Sequence, residues 1–216
     1  MSQSLFADIL SVLAMTYSDT QPRGTLRYRL LSASLRPSDS PLADPGTWGH
    51  EYVRHIAAEL GEEFTVREGN TLEQLEGANK LAEPDVKLPG TIEDLRGLAK
   101  QCARFFLDHN AEPDAVDLLE ELEIIDEITL LVDENTYGRV CQYMIRCVCV
   151  VPLSFIKLIL FTRCVNLLPP PDDVLFLRTA HAIYVKYHKF TEAISLAIRL
   201  GDPELIREDF KAPANP

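Results

Sequence analysis

Asp173 to Gly201 reads DVLFLRTAHAIYVKYHKFTEAISLAIRLG, and this stretch decides the fold. Apolar residues recur at helical spacing from Asp173 to His188, falter at Lys189-Phe190, and resume from Thr191 to Leu200 before Gly201 ends the run. That pattern predicts two helices joined by a tight turn. Ala182, Tyr184, Lys186, Tyr187, Glu192-Ala193-Ile194 and Leu196-Ala197 give the pair a tetratricopeptide-like texture, with small Ala positions permitting close approach and aromatics filling the groove. One such pair cannot bury its own face, so neighbouring helices must cover it. Immediately downstream, Asp202-Pro203-Glu204 reads as cap, first and second positions of another helix.

Working back toward the N-terminus, the same periodicity returns. Phe6, Ile9, Leu10, Leu13 and Tyr17 mark one amphipathic helix, stopped by Ser18 to Gly24. Thr25 to Leu35 is short and mixed, and Arg36 to Gly46 is a loop by composition. Trp48, Tyr52, Ile56 and Leu60 form a stripe with Thr47 as cap and Gly61 as stop. Residues 61–90, with weak apolar pattern and recurring Gly and Pro, are expected to be irregular or partly disordered, as a loop, a short helix or partial disorder. Thr91 and Asp94 resemble a capping pair for a helix through Phe106, and Pro113 opens another whose apolar positions run from Val116 to Ile128. Asp133 to Thr136 breaks that run and can cap a helix through Tyr137, Val140, Cys141, Met144 and Ile145. No stretch alternates as strands do. The expectation is an all-α fold, a tetratricopeptide- or solenoid-like array of helical hairpins with an irregular Gly/Pro-containing middle, divided into segments 1–60, 61–90, 91–147, 148–164 and 165–216.

The formal charge of −12, from 33 acids against 21 Lys and Arg, disfavours nucleic acid and anionic membranes as partners, because phosphate binding requires clustered cations. Five cysteines crowd one region without the spacing of a secreted disulfide framework and point to reduced thiols in cytoplasm or nucleus. Leu5 to Tyr17 lacks a basic leading region and carries Asp8, unlike a secretory signal. The apolar run Cys147 to Leu168 is interrupted by Pro152, Lys157 and Arg163, and a Lys at the centre of a span costs about 2.5–3.5 kcal/mol to insert. Neither segment reads as a membrane anchor.

Catalytic and metal chemistry find no support in the sequence. His50 and His55 stand five apart, which on a helix turning about 100° per residue separates them by roughly 140°, too far for one ion on one face. There is no C-x-x-C pair, no G-x-S-x-G turn and no Gly-rich phosphate loop, so no catalytic residue, metal ligand or cofactor is assigned. A distinctive electrostatic feature is the span between Arg104 and Arg139, which holds no Lys or Arg while acids accumulate. Such a run is commonly a solvated helix face; as a docking surface for a basic partner, its candidate residues are Glu120, Glu121, Glu123, Asp126 and Glu127.

Several stretches together resemble the large non-ATPase subunit of the 26S proteasome base, the family whose later region carries proteasome/cyclosome repeats. They are Ala7 to Thr16, Trp48 to His55, His109-Asn110-Ala111-Glu112 leading into Ala115 to Leu119, Asp133 to Tyr137, and the final hairpin around Glu192-Ala193. Their order and spacing agree as well. The resemblance implies a non-catalytic helical scaffold contacting other regulatory-particle subunits, the ATPase ring above all, in ubiquitin-dependent degradation in cytoplasm and nucleus. It also implies a fragment, because the receptor region for ubiquitin and shuttle proteins belongs to later repeats absent here. The alternative is a free-standing tetratricopeptide-like adaptor for basic peptides.

One departure stands out. Arg146-Cys147-Val148 recurs as Arg163-Cys164-Val165, and removing about seventeen residues between the copies joins Met144-Ile145-Arg146 to Cys164-Val165-Asn166-Leu167-Leu168-Pro169, restoring the family-like run. Residues 148–164 are therefore expected to be an insertion of the kind a retained intron would encode, the alternative being a genuine buried helix or strand. Sequencing the transcript across codons 140–170 tests this: a major mRNA that keeps the segment, with a protein that assembles, refutes it.

Overall fold

Helix follows helix along the chain because most segments carry apolar residues at three- and four-residue spacing, and their backbone polar groups are satisfied locally. In the computed structural model, residues 2–17, 22–36, 44–76, 88–148 and 171–212 are described. Among the described residues there are ten α-helices and no strand: α1 (Ser2–Ala14), α2 (Gly24–Ser34), α3 (His50–Glu76), α4 (Ile92–Asp108), α5 (Glu112–Glu121), α6 (Ile128–Leu131), α7 (Tyr137–Cys147), α8 (Asp172–Lys186), α9 (Phe190–Leu200) and α10 (Pro203–Lys211). The fold is all-α. None of these helices is long and apolar enough to cross a membrane.

Two compact units are present, residues 1–109 with 117–123, and residues 110–116 with 124–216. In the first, α1 packs on α2, α2 on α3, and α3 on α4. Its core is Leu26, Tyr52, Val53, Ile56, Leu60, Phe64, Leu95, Leu98, Phe106 and Leu119, each almost fully buried. In the second, α7, α8, α9 and α10 pack each on the next. Val140, Cys141, Met144, Phe176, Ile183 and Leu196 fill that core. Ala180, Ala193 and Ala197 are wholly buried between helices, whereas Ala182, expected among the small contact positions, is exposed.

The local signals that survive are those with a specific hydrogen bond behind them. The Thr91 hydroxyl accepts from Asp94 N at 3.2 Å while Asp94 Oδ2 accepts from Thr91 N at 2.6 Å, a reciprocal cap. The bond from Thr91 N first, and then the Thr91 hydroxyl donating to Asp94 Oδ2 at 2.8 Å, hold the Asp94 carboxyl below its usual range. Asp202 caps α10 by accepting from Glu204 N and Leu205 N, with Pro203 at the first position, and Gly201 closes α9 at φ 68°. Ahead of α7, Asp133 accepts from Asn135 N and Thr136 N.

Four expectations are corrected. Helix α3 does not stop at Gly61 but runs to Glu76, so 61–76 continues the preceding helix where a loop, a separate short helix or partial disorder was expected. Gly61 keeps helical dihedrals, and a methyl group there would come within 2.2 Å of the Glu121 carboxyl, so the glycine marks a close approach of α5 rather than an end. Thr47 is not the cap of α3: Asp44 caps a 3-10 turn at Pro45–Trp48, α3 begins at His50, and Trp48 is 43% exposed. The apolar run from Val116 to Ile128 is not one helix. It ends at Glu121, Glu123 takes φ 57°, and a 3-10 turn precedes α6, so that Leu122 is buried with the first unit while Ile125 and Ile128 are buried with the second.

The fourth correction concerns α1. The helix exists, but its apolar stripe faces outward: Phe6 is 62% exposed, Ile9 50% and Leu13 51%, while Ser4, Ala7, Asp8, Ser11 and Ala14 are buried. Helix α2, which the mixed sequence 25–35 did not announce, likewise buries Thr25, Arg29 and Ser32 beside Leu26 and Leu30. The interface between the hairpin and the rest of its unit is therefore polar at its centre. The suggested insertion, apart from Val148, and residues 77–87 lie outside the described residues.

Candidate protein interaction surfaces

The candidate acidic residues do not form one patch within one unit. Glu120 and Glu121 close α5 and Glu123 follows it, all three in the first unit; Asp126 and Glu127 lie on the 3-10 turn of the second. Glu121, Glu123 and Asp126 are exposed, Glu120 and Glu127 half-buried. Burial first, then the negative charges of Glu62 and Asp117, raise the Glu121 carboxyl above its usual range. A raised carboxyl favours the folded state at low pH, and that contribution is lost as pH rises through the raised value. Glu121→Gln is accordingly expected to stabilise the chain at neutral pH by less than about 0.5 kcal/mol, since solvent screens the exposed group. The gain should vanish below about pH 4.5, as denaturant titrations at both pH values would show. Gly61→Ala displaces the same flexible carboxyl and adds helix propensity of about 1 kcal/mol, so its expected effect is neutral to stabilising.

Behind the α1–α2 hairpin lies a clamp of buried polar groups that composition alone could not locate. Asp8 Oδ2 accepts from Arg36 Nη2 at 2.6 Å and Asp8 Oδ1 lies 3.8 Å from Arg29 Nη1, with Arg29 almost wholly buried. Glu63 accepts from Arg23 at 2.7 Å and from Arg67 at 2.7 Å, and Arg67 Nη1 donates onward to Gly90 O. Glu59 accepts from Leu26 N at 2.6 Å and lies 3.0 Å from His55, and Ser11 shares a hydrogen bond with Tyr52 at 2.8 Å. Burial is the main cause that raises the Tyr52 phenol, against the lowering effect of Ser11. Glu59 and Glu63 stand four residues apart on α3, one helical turn, and so present side by side to α2.

His50 and His55 do not converge on an ion. His50 meets Phe105 edge-on at 5.3 Å, and Phe105 in turn stacks on His109 at 3.9 Å, beside an open cleft of about 710 Å³ bordered by Lys100, Arg104 and Asp108. Among the described residues, no three His, Cys, Asp or Glu side chains are grouped to hold a metal. In the second unit, Tyr137 stacks on Tyr187 at 4.3 Å, the Tyr187 hydroxyl donates to Val132 O, and Lys186 Nζ donates to Thr129 O. His181 Nε2 lies 2.7 Å from Asp209 Oδ2, both buried; an ionised carboxylate only accepts, so the imidazole presents its Nε2–H.

The described cysteines serve as small apolar groups. Cys102, Cys141 and Cys147 are buried, and burial pushes the thiols of Cys102 and Cys141 up to about 12. With Cys149→Ser and Cys164→Ser introduced, an aromatic disulfide reagent at pH 8 is expected to leave all three unmodified in the native chain and to titrate them fully in denaturant. Rapid native labelling of Cys102 would contradict the burial.

Comparison with known proteins fits this geometry. The family described as the RPN1 N-terminal domain matches residues 1–155 and 152–216. The chain is 41% identical over 216 residues, 99% of its length, to the 26S proteasome regulatory subunit RPN1 of Candida glabrata, and 45% identical over 210 residues, 97% of its length, to rpn-1 of Neurospora crassa. It is 35% identical over 214 residues to the 26S proteasome non-ATPase regulatory subunit 2 of Dictyostelium discoideum. The matched stretch spans 18–19% of these relatives. A helical chain matched from end to end by one family in this way belongs to it: this is a member of the RPN1 N-terminal domain family.

Proposed function

We propose that the chain is a non-catalytic scaffold segment of the proteasome regulatory particle, acting in cytoplasm and nucleus through contacts with other base subunits, the ATPase ring foremost. The observation that carries this is the match of 97–99% of the chain to proteins named as regulatory subunits of the 26S proteasome. A fold of stacked helices, with buried charges used for helix packing, supplies contact surface and rigidity rather than a reaction centre. Glu120, Glu121, Glu123, Asp126 and Glu127 serve in this reading as a surface for basic partner residues. Ubiquitin and shuttle-protein binding are not assigned to these residues.

Residues 148–164 fit the reading as an insertion interrupting a scaffold helix pair. Support comes from the family match, whose two stretches meet at residues 152–155, inside that segment. A chain lacking 148–164 is expected to be the more soluble, because the apolar run Val150 to Phe161 is an aggregation hazard. Equal soluble yield of both chains would count against the insertion.

The test of the scaffold role is incorporation. Epitope-tagged chain, with and without 148–164, is expressed in cells and resolved on native gels against antibodies to the ATPase subunits. Co-migration with the regulatory particle is expected. A stable free monomer that binds basic peptides instead would overturn the assignment in favour of an independent adaptor.

A further inference from the structure

Helices α7 and α8 run antiparallel, and their register shows how little chain is needed to join them. Tyr137, at the start of α7, stacks at 4.3 Å on Tyr187, just past the end of α8. Further along α7, Cys141 Sγ lies 3.7 Å from Ala180 O. From that contact to the ends at Val148 and Asp172, each helix advances by seven or eight residues, roughly 11 Å at a rise of about 1.5 Å per residue. The end of α7 therefore comes level with the first turn of α8, across an interaxial distance of about 8–10 Å. Antiparallel neighbours of this kind are commonly joined by only about 2–8 residues.

The chain instead carries residues 149–170 between Val148 and Pro171. Arg146-Cys147-Val148 ends α7, and its repeat, Arg163-Cys164-Val165, stands just before Asn166 to Pro170. Excising 148–164 leaves Arg146-Cys147-Val165, so the same three residue types occupy the positions that close α7. Those positions belong to the packed unit, because Cys147 is 6% exposed and Val148 3%. Arg199 of α9 donates to the carbonyl oxygen of Val148, a main-chain contact that the joined valine supplies equally. The remaining link, Asn166-Leu167-Leu168-Pro169-Pro170, can span about 17 Å when extended, more than the interaxial gap. Its Asn suits the position after a helix, and its prolines cannot continue one.

We infer that the second unit folds in two chain lengths, with residues 148–164 an optional in-frame segment at one end of the α7–α8 hairpin. Its inclusion or removal changes the link and leaves the packed helices the same. The inference rests on the insertion reading given above and adds to it that the repeated tripeptide makes either length fit one hairpin.

The test compares the full chain with one lacking 148–164. Excision removes Cys149 and Cys164 and leaves Cys102, Cys141 and Cys147. An aromatic disulfide reagent at pH 8 should modify none of these three in the native shortened chain and all three in denaturant, because the last turn of α7 stays closed over Cys147. Amides of α7 and α8 should exchange at rates within about threefold of each other in the two chains. The shortened chain should melt roughly 3–6 °C higher, since it closes a shorter loop. A third chain, with residues 149–162 replaced by Gly and Ser at equal length, should melt with the full chain. Rapid native labelling of Cys147, lost protection across α7, or a lower melting transition on excision would overturn the inference. So would a Gly/Ser chain that melts well below the full one, because the segment would then be part of the packed unit. Failure of any of these is distinct from failure of the insertion reading, which the transcript across codons 140–170 decides.

Discussion

Asp8→Ala is expected to destabilise the first unit by about 3 kcal/mol, because it strips the carboxylate from between the buried Arg29 and the half-buried Arg36. Asp8 is 4% exposed and Arg29 1%, so water cannot replace the lost partner without opening the hairpin. The melting transition should fall by roughly 10 °C, and amides of α1 and α2 should exchange faster than those of α4. A control separates the ion pairs from the space they fill: Asp8→Leu together with Arg29→Met and Arg36→Met should recover most of the loss, since buried ion clusters replaced as a set by apolar groups are often neutral. A single substitution that costs less than about 0.5 kcal/mol would mean that the carboxylate is solvated and the hairpin loosely held.

The second large effect is expected at the other end of the chain. Asp209 is the one fully buried residue of α10, and its carboxylate meets His181 of α8 at 2.7 Å, beside the Arg178–Asp202 pair at 3.3 Å and the half-buried Leu205 and Ile206. Asp209→Ala should cost about 2 kcal/mol, the penalty of leaving a buried donor unmade. Hydrogen exchange should localise that loss to residues 203–211. Asp209→Asn retains an acceptor and should cost less than half as much. Uniform loss of protection across α7 to α9 would show that α10 is coupled to the whole unit and not fastened at one point.

Both effects sit where sequence patterning is least informative. Periodicity identifies Tyr52, Ile56 and Leu60 as one buried stripe, and all three are buried. Applied to α1, the same rule assigns Phe6, Ile9 and Leu13 to the core, and those residues face out. The rule reports amphipathicity, not direction, and direction depends on what the opposing helix offers. Here α2 and α3 offer Arg29, Glu59 and Tyr52 rather than leucine. The acidic residues show the same limit. Their crowding is visible from composition, but the turn at Glu123 divides them between two units, and no counting of charges reveals that.

Gly61 illustrates how one residue type carries two meanings. A glycine after an apolar stripe commonly ends a helix by adopting a left-handed conformation, as Gly201 does at φ 68°. Gly61 instead stays inside α3, where the missing side chain admits Glu121. Only the neighbour distinguishes the cases.

By itself the sequence determined the all-α class, the hairpin of α8 and α9, the caps at Thr91 and Asp202, and the family resemblance, because each rests on residues close together in the chain or on ordered local matches. The tertiary structure decided which face of α1 is hidden, that Asp8, Glu59 and Glu63 form a buried clamp, and that the run after Pro113 breaks to supply two cores. Those outcomes depend on residues tens of positions apart, such as Arg23 with Glu63 and Ser11 with Tyr52. Burial gives such distant pairs their energy, and burial is a property of the packed chain.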